Sequence, residues 1–252
     1  MSKVLRDEAR CSLISAWEQS PAGQYALQRE QALLLHLISD WKQRKQSILE
    51  LGCGSGYFQK AFSQAGFDVA GLECHPRLLQ QARQRLGSRA ELYYGQVDCL
   101  PFQDNEFDYT AALMLLPFCL RPDQVLAEAL RVSKKGLLLG ALNRYSLYGF
   151  NAAWSKRLIK GNGAWRKELT WWTWPELHRF LRQYREAARI KARSVLPGPM
   201  WSWRPNSLWD KLNNRFYPPG LGAILLVRLD RTRPRTGTPI LAWVKQPRTI
   251  PS

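Results

Sequence analysis

Apolar and polar residues alternate along the first 142 residues as they do in chains of alternating helices and strands. Residues 24–43 carry apolar side chains at steps of three and four, the spacing of an amphipathic helix, at Leu27, Leu34, Leu37, Ile38 and Trp41. Short apolar runs predict strands over residues 47–51, 67–73, 91–96, 107–115 and 136–142. Helices opened by proline or closed by glycine are predicted between them, over residues 55–65, 76–86 and 122–132.

This order of elements predicts a parallel sheet with helices on both faces. Each strand–helix–strand unit needs a right-handed crossover, and strands covered on both faces are short and apolar, as these are. After residue 142 the pattern is less regular. Thr173, Pro175 and Glu176 form a helix start with a capping box, and two further strands are predicted at 190–196 and 222–230.

A glycine-rich turn follows the first strand. Glu50, Gly52, Gly54 and Gly56 lie at the strand end and the mouth of the next helix. Glycines let the backbone approach a ligand closely, and the helix start offers N–H groups to it, although a plain tight turn would also use glycine. The spacing E-x-G-x-G-x-G differs from the G-x-G-x-x-G of dinucleotide-binding loops. A nucleotide-type cofactor is indicated, and an NAD(P)-dependent oxidoreductase is disfavoured.

Two acidic residues at later strand ends support a nucleoside site. Glu73 closes the second strand, 21 residues after Gly52, where a carboxylate can bind both hydroxyls of a ribose. Asp98 and the N–H of Cys99 follow the third strand, where they can bind the amino group and a ring nitrogen of an adenine. Each acidic residue alone is typical of a solvent-exposed strand end. Because both follow the glycine turn at successive strand ends, a single ligand shared by all three is favoured.

The ordered motifs together resemble the class I S-adenosylmethionine-dependent methyltransferases, in the group (methyltransferase type 11) related to ubiquinone and menaquinone biosynthesis. The resemblance spans about residues 17–150 and includes WEQSPAGQY, ELGCGSGYF, ECHP, DCLPFQDNEFD and RVSKKGLLLG. It implies a Rossmann-like α/β fold with a mostly parallel seven-stranded sheet and helices on both faces. It also implies S-adenosylmethionine as the cofactor and an acceptor cap after strand five.

The resemblance implies a set of cofactor-binding residues: Glu50, Gly52, Cys53, Gly54, Gly56, Glu73, Cys74, Asp98 and Cys99. The three glycines would face the methionyl part of the cofactor and Glu50 would support their loop. Glu73 would take the ribose hydroxyls, and Asp98 with the Cys99 backbone would take the adenine. Gln24 and Tyr25 would close over the cofactor, although Tyr25 is equally a candidate for the core.

The end of strand four departs from the family pattern. Many relatives carry Asn, Asp or His there, whereas residues 113–118 are entirely apolar. Alignment and desolvation can supply most of the rate of methyl transfer, and a base is needed only for an acceptor that must lose a proton. No catalytic residue is assigned. Side chains considered for the acceptor side are His178, Asn143 and Tyr145, whereas a structural role is expected for His36 and a place beside adenine for His75.

Charge divides the chain unevenly. The net charge is +17, yet residues 1–140 hold 16 Lys/Arg against 15 Asp/Glu, and residues 141–252 hold 21 against 5. Nine of the eleven tryptophans lie in that second part. We therefore divide the chain into a cofactor-binding core (1–142), an acceptor cap with the last helix and strands (143–230) and a basic, Pro-rich tail (231–252).

The basic, Trp-rich 143–252 part leaves its partner open. It would suit an anionic small substrate, RNA or an anionic membrane surface, or its charge and tryptophans serve only solubility and packing. The expected function is transfer of a methyl group from S-adenosylmethionine to a small-molecule acceptor, apolar or anionic. The alternative is an RNA- or nucleic-acid-binding protein, or an RNA methyltransferase, on the same scaffold.

Compartment and metal chemistry are constrained by what the sequence lacks. The five cysteines are widely spaced without C-x-x-C pairs, which predicts reduced thiols and no metal site. The first residues show no secretory signal pattern and no apolar run is long enough to span a bilayer. The expected location is cytoplasmic.

Overall fold

One seven-stranded sheet organises the chain. The structure is a computed structural model that describes residues 11–12, 14–154, 169–184 and 187–231. The strands are β1 Ser47–Leu51, β2 Asp68–Glu73, β3 Ala90–Tyr94, β4 Phe107–Ala112, β5 Ser133–Leu142, β6 Ala187–Val195 and β7 Ile224–Arg231. Their order is β3-β2-β1-β4-β5-β7-β6, and β7 runs antiparallel to the other six strands. The predicted mostly parallel, Rossmann-like fold class is confirmed.

Helices cover both faces of this sheet. They are α1 Pro21–Leu37, α2 Tyr57–Ala65, α3 Pro76–Leu86, α4 Pro122–Val132, α5 Leu147–Trp154, α6 Trp174–Arg182 and the single turn α7 Asp210–Asn213. Residues 14–19 are also helical. The Thr173 hydroxyl accepts from the Glu176 N–H while the Glu176 carboxylate accepts from the Thr173 N–H, which is the predicted capping box of α6.

Two apolar cores lie on the opposite faces. Helices α1 and α2 bury Leu34 and Phe62 on one face, and α4 and α6 bury Leu126 and Leu177 on the other. Successive strand residues point to opposite faces, so neighbours such as Ile48 and Leu49 enter different cores. This two-sided burial explains why the strands read as continuous apolar runs.

Several predicted boundaries differ from the structure: β5 begins at Ser133 and not at 136, β6 begins at Ala187 and not at 190, and one helix and one strand end earlier than predicted. Helix α1 ends at Leu37 and not at 43, and Trp41, which continued the helical spacing, lies beyond the helix with its ring stacked 4.0 Å from Tyr109. Strand β4 ends at Ala112 and not at 115, because Met114 has a left-handed φ of 51° that turns the chain. Apolar spacing therefore continued past both elements because the residues beyond them are also buried.

A buried arginine joins the far edge of the sheet to α1. Arg228 on β7 is 5% exposed, and its guanidinium donates to the Leu37 carbonyl (2.7 Å), to the Asp230 carboxylate (2.8 Å) and to Asp40. It also lies 4.9 Å from the Trp41 ring centroid. A buried charge is tolerated only when it is paired in this way.

Replacement of Arg228 by alanine should therefore destabilise the protein. Arg228→Ala leaves the buried Leu37 carbonyl without its side-chain donor, and Asp230 keeps only the Trp41 indole N–H, so we expect the free energy of unfolding to fall by about 3 kcal/mol. Lys191 pairs with the same Asp40 but is 38% exposed, and Lys191→Ala should cost less than about 1 kcal/mol. Urea unfolding of both variants measures their free energies of unfolding. An equal decrease in the two variants would show that the buried Arg228 contributes no more than the exposed Lys191.

Candidate functional site

The glycine turn between β1 and α2 lies at the carboxyl edge of the parallel strands. Gly52, Gly54 and Gly56 have φ angles of 64°, 55° and 81°, a region that residues with a Cβ rarely adopt. The N–H groups of Gly52 and Cys53 donate to the Leu72 carbonyl on β2, at 2.8 and 3.1 Å. The turn is thereby fixed against the neighbouring strand. Open α/β sheets bind their ligands at this edge.

The three glycines have different surroundings. A Cβ at Gly52 would lie 2.8 Å from the Leu115 side chain, and one at Gly56 would lie 2.9 Å from Leu86 on α3. A Cβ at either position would displace a leucine side chain, and the positive φ would strain the new residue as well. A Cβ at Gly54 would meet nothing within 4 Å. Gly54 is thus the glycine whose backbone faces open space.

Glu73 binds the backbone on both sides of its strand end. Its Oε2 accepts from the Gly54 N–H at 2.9 Å, and its Oε1 accepts from the N–H groups of Cys74 and His75, both at 2.9 Å. The side chain is buried, with 5% of the residue exposed. Oε1 also accepts from the Cys74 thiol at 3.5 Å. Each carboxylate oxygen has about two acceptor positions, so the position that remains is on Oε2, which has one partner. The structure thus brings Glu73 and the glycine turn together.

Buried polar atoms without a partner lie beneath the turn. Glu50 Oε2, Glu30 Oε1 and both amide atoms of Gln59 are buried and have no hydrogen-bond partner. The Gln59 amide lies over Gly71, which pairs with Glu50 across β1 and β2. Burial raises the pKa of Glu30 to about 8. Burial and the nearby carboxyls of Glu30 and Glu73 hold the pKa of Glu50 well above its usual range.

Asp98 carries an ion pair that the sequence did not predict. Its carboxylate lies 2.5 Å from the Arg121 guanidinium, and Cys99 beside it is exposed. The next residues are fixed by Glu128, which accepts from the Leu100 N–H at 2.8 Å and pairs with Arg131. The loop is thus ordered, and Arg121 lies beside the expected adenine position.

A second unpredicted contact holds the N-terminal helical residues over the turn. The Ser55 hydroxyl donates to Glu18 at 2.7 Å and accepts from Arg85 at 2.6 Å. Ser55 is 2% exposed. Glu18 belongs to the WEQSPAGQY motif, but its partners lie 37 and 67 residues away, and no local pattern indicates such pairs.

The other candidate side chains are placed as follows. Gln24 is exposed, whereas Tyr25 is buried and its hydroxyl donates to Asp210 at 2.6 Å. Asn143 is buried, its amide donates to the carbonyls of Gly220 and Gly222, and its oxygen accepts from the Tyr145 N–H. That side chain is committed to the fold, whereas Tyr145 is 64% exposed.

The histidines do not form a cluster. His36 is exposed and stacks on Phe216 at 4.7 Å, and His178 packs on Trp174 at 5.1 Å. The Nδ1 of His75 is buried without a partner, next to Glu73. Within the described ranges, no group of three His, Cys, Asp or Glu could hold a metal ion.

The end of β4 is apolar, as the sequence predicts, and an aromatic cluster lies in the same core as Leu113. Leu113, Leu115 and Leu116 are buried, with Leu115 against Gly52. Trp203 is buried between Tyr148, 4.9 Å away, and Trp17, 6.2 Å away. Part of the Trp-rich segment is therefore packed interior. No helix among residues 11–12, 14–154, 169–184 and 187–231 is long and apolar enough to cross a membrane.

Comparison with known proteins assigns the central part of the chain. Residues 49–139 match the family described as methyltransferase domain. A malonyl-[acyl-carrier protein] O-methyltransferase of Erwinia pyrifoliae is 32% identical over 112 residues, 43% of this chain and 42% of that protein. The chain spans from about a quarter to about half of the length of the curated relatives it matches.

Solved structures agree with this assignment. An S-adenosylmethionine-dependent methyltransferase of Thermotoga maritima superposes with a TM-score of 0.68 at 20% identity, covering 87% of this chain and 95% of that one. The magnesium protoporphyrin IX methyltransferase of Synechocystis, with bound S-adenosylhomocysteine, gives 0.60 at 13% identity, covering 84% and 86%. The family match confirms the predicted resemblance to methyltransferases over residues 49–139, and the solved structures confirm the predicted fold.

The buried carboxyl of Glu30 makes a prediction about pH. The folded chain keeps this proton up to about pH 8, whereas an unfolded chain loses it near 4.5. The contribution of Glu30 to the free energy of unfolding is therefore fully present below pH 4.5. It is lost as the pH rises to about 8, by at most about 5 kcal/mol.

Glu30→Gln cannot ionise, so it should raise the melting temperature at pH 8 and leave it nearly unchanged at pH 4.5. The matched control is Glu91→Gln, which changes an exposed carboxyl. Thermal melts across this range measure the difference. A gain that is the same at both pH values would contradict the assignment of the buried proton to Glu30.

Proposed function

We propose that this chain is an S-adenosylmethionine-dependent methyltransferase that acts on a small, largely apolar acceptor carrying an ionised nucleophile. One observation supports the cofactor above all: the Gly54 backbone faces open space while its N–H binds the carboxylate of Glu73. Gly54 therefore leaves a space that the Cβ of another residue would fill, and this space adjoins the acidic side chain at the end of β2.

The residues present fit the cofactor. Gly52, Gly54 and Gly56, with Cys53, would hold its methionyl part. Burial raises the pKa of the unpartnered carboxyl groups of Glu50 and Glu30, and the positive charge of a bound sulfonium would favour their ionised forms.

The nucleoside would lie along the ends of β2 and β3. The second acceptor position of Glu73 Oε2 would take a ribose hydroxyl, with Cys74 as the adjacent residue. Asp98 and the Cys99 N–H would bind the adenine. The ion pair between Asp98 and Arg121 would then have to loosen or break. These nine assignments are proposals, and the three backbone bonds of Glu73 support them because they orient its carboxylate toward the turn.

When bound, S-adenosylmethionine supplies a methyl group on a sulfonium, an electrophile with a good leaving group. The chain's own contribution is to orient and to exclude water. Leu115 lies against Gly52 at the turn, and Trp17, Tyr148 and Trp203 form an aromatic cluster. An apolar surrounding of this kind strips water from a nucleophile and holds it in line.

The apolar end of β4 supports an acceptor that needs no protein base. No side chain able to remove a proton stands at residues 113–118. An acceptor that arrives as a carboxylate, phenolate or enolate already carries the electron pair that forms the new bond to carbon. The similarity to a malonyl-[acyl-carrier protein] O-methyltransferase supports an oxygen as the accepting atom.

The division of the chain follows from this proposal. Residues 1–142 would bind the cofactor, 143–230 would cap the acceptor and complete the sheet, and 231–252 would be a basic tail. The nucleic-acid alternative is less well supported, because the apolar end of β4 offers a nucleobase no hydrogen-bond partner.

Labelled S-adenosylmethionine and cell extract, with mass identification of the labelled product, test the function. We expect label in a small apolar acid or phenol. Label recovered only in RNA would replace the proposed acceptor, and no labelled product of any kind, together with no calorimetric binding of S-adenosylhomocysteine, would refute the enzyme.

Two glycines provide a matched test of the cofactor site. Gly54 and Gly87 have φ of 55° and 57°, and a Cβ at either would meet nothing within 4 Å. Gly54→Ala and Gly87→Ala both place a Cβ at a positive φ. Gly87, with a ψ of −127°, lies outside the left-handed helical region, so we expect a strain of about 1–2 kcal/mol at Gly54 and no less at Gly87. We expect only Gly54→Ala to weaken S-adenosylhomocysteine binding, by roughly tenfold or more, in calorimetry. Equal affinities of the two variants would remove Gly54 from the site.

A further inference from the structure

Large apolar side chains are exposed mainly on two segments of the chain. Among the described residues eleven such side chains are exposed, and eight belong to residues 143–154 and 197–222. They are Tyr145, Leu147, Phe150, Trp201, Leu208, Leu212, Phe216 and Leu221. Leu208 is 100% and Trp201 62% exposed. Scattered exposed apolar residues need no explanation, but a concentration of them marks an interaction surface.

Both segments leave the sheet at its carboxyl edge. The first follows β5 at Leu142, and the second leaves β6 at Val195 and returns at Ile224. Leu142 and Val195 both pair with Ile224, so the three ends coincide. The carboxyl end of β5 lies at the same edge as those of β1 and β4, to which it is parallel in register. We call the exposed side chains of 143–154 and 197–222 the docking edge.

The second segment is held firmly despite its exposed residues. Trp203 is 2% exposed and its indole N–H donates to the Gly198 carbonyl at 3.0 Å. Asn213 is also buried and accepts from the Gly198 N–H at 3.2 Å. Ser194 and Tyr217 exchange two backbone hydrogen bonds of 2.9 Å. The outward apolar side chains therefore stand on a packed base.

Positive charge accompanies these apolar side chains. Arg204, Lys211 and Arg215 are exposed between Trp201 and Phe216. Asp210 is the single acid of residues 197–222, and its carboxylate accepts the Tyr25 hydroxyl at 2.6 Å. The 197–222 part of the docking edge thus presents three cations with leucine, tryptophan and phenylalanine, whereas Arg144 in the other part is paired with Glu176.

We propose that the docking edge binds the surface of an anionic lipid bilayer. Aromatic rings and leucines enter the boundary between headgroups and acyl chains, while lysine and arginine pair with anionic headgroups. Charge complementarity and the apolar residues point to the same occupant, and since no described helix can cross a bilayer, the contact is peripheral.

The composition of the edge favours lipid over its competitors. Single-stranded RNA is held by aromatic rings on which bases stack, whereas four of the eight exposed apolar residues are leucines. In a twofold contact between copies of this chain, the same patch faces itself, which would bring the three cations toward their own copies. An anionic bilayer satisfies both the leucines and the cations.

The experiment measures sedimentation with vesicles at about 0.1 M salt, where the Debye length is about 10 Å. Vesicles of phosphatidylglycerol in phosphatidylcholine are compared with pure phosphatidylcholine. One variant combines Arg204→Gln, Lys211→Gln and Arg215→Gln, and another combines Trp201→Ser, Leu208→Ser and Leu221→Ser. The matched control combines Lys42→Gln, Arg44→Gln and Arg89→Gln, which removes three exposed cations before β1 and β3, at the opposite edge of the sheet.

We expect the wild-type protein and the control to bind anionic vesicles, and both docking-edge variants to bind roughly tenfold or more weakly. Melting temperatures close to wild type show that the variants are folded, whether or not the chain binds a cofactor. The proposal is overturned by wild-type protein that does not bind anionic vesicles, or by a control that loses as much as the charge variant. It is also overturned by a wild-type dimer that the apolar variant dissociates, or by binding to single-stranded RNA that the charge variant loses while vesicle binding persists.

Discussion

The carboxylate of Glu73 is the contact on which the ligand edge depends. It joins the Gly54 N–H of the turn after β1 to the N–H groups that follow β2. Without it, three backbone donors at a strand edge would need other partners. The positive φ angles of the turn are held by this contact and by the bonds to the Leu72 carbonyl. The sheet supplies the position, and one side chain fixes the loop upon it.

Several buried polar atoms beneath that loop have no hydrogen-bond partner, which makes the unliganded site less stable. Glu30, Glu50 and Gln59 bury polar atoms without partners, which costs free energy in the unliganded protein. Such a local cost persists only where the rest of the fold compensates for it, and functional sites are where it is usually found. The two-sided apolar cores and the paired Arg228 provide that compensation. A cationic ligand would remove part of the cost.

Local sequence patterns predicted most of the helices and strands. They did not predict the side-chain contacts between residues far apart in the sequence. Strand β1, helix α4 and the capping box at Thr173 follow from apolar runs, proline and neighbouring side chains. The glycine turn and Glu73 could be found because each is marked by its place at a strand end. The ion pair of Asp98 with Arg121 and the contact of Glu18 with Ser55 join residues 23 and 37 positions apart. Such contacts arise only from the folded topology.

The glycine turn after β1 and the docking edge lie at the same edge of the sheet. This arrangement suggests how the acceptor could reach the cofactor. The sheet is open, so its carboxyl edge is where the cap residues after β5 and the excursion between β6 and β7 must meet. A small apolar acceptor dissolves in a bilayer more readily than in water. Under the proposed function, an edge seated on lipid would receive that acceptor without exposing its apolar surface to water. The basic charge of the second half of the chain would then orient the enzyme, and the neutral first half would hold the cofactor.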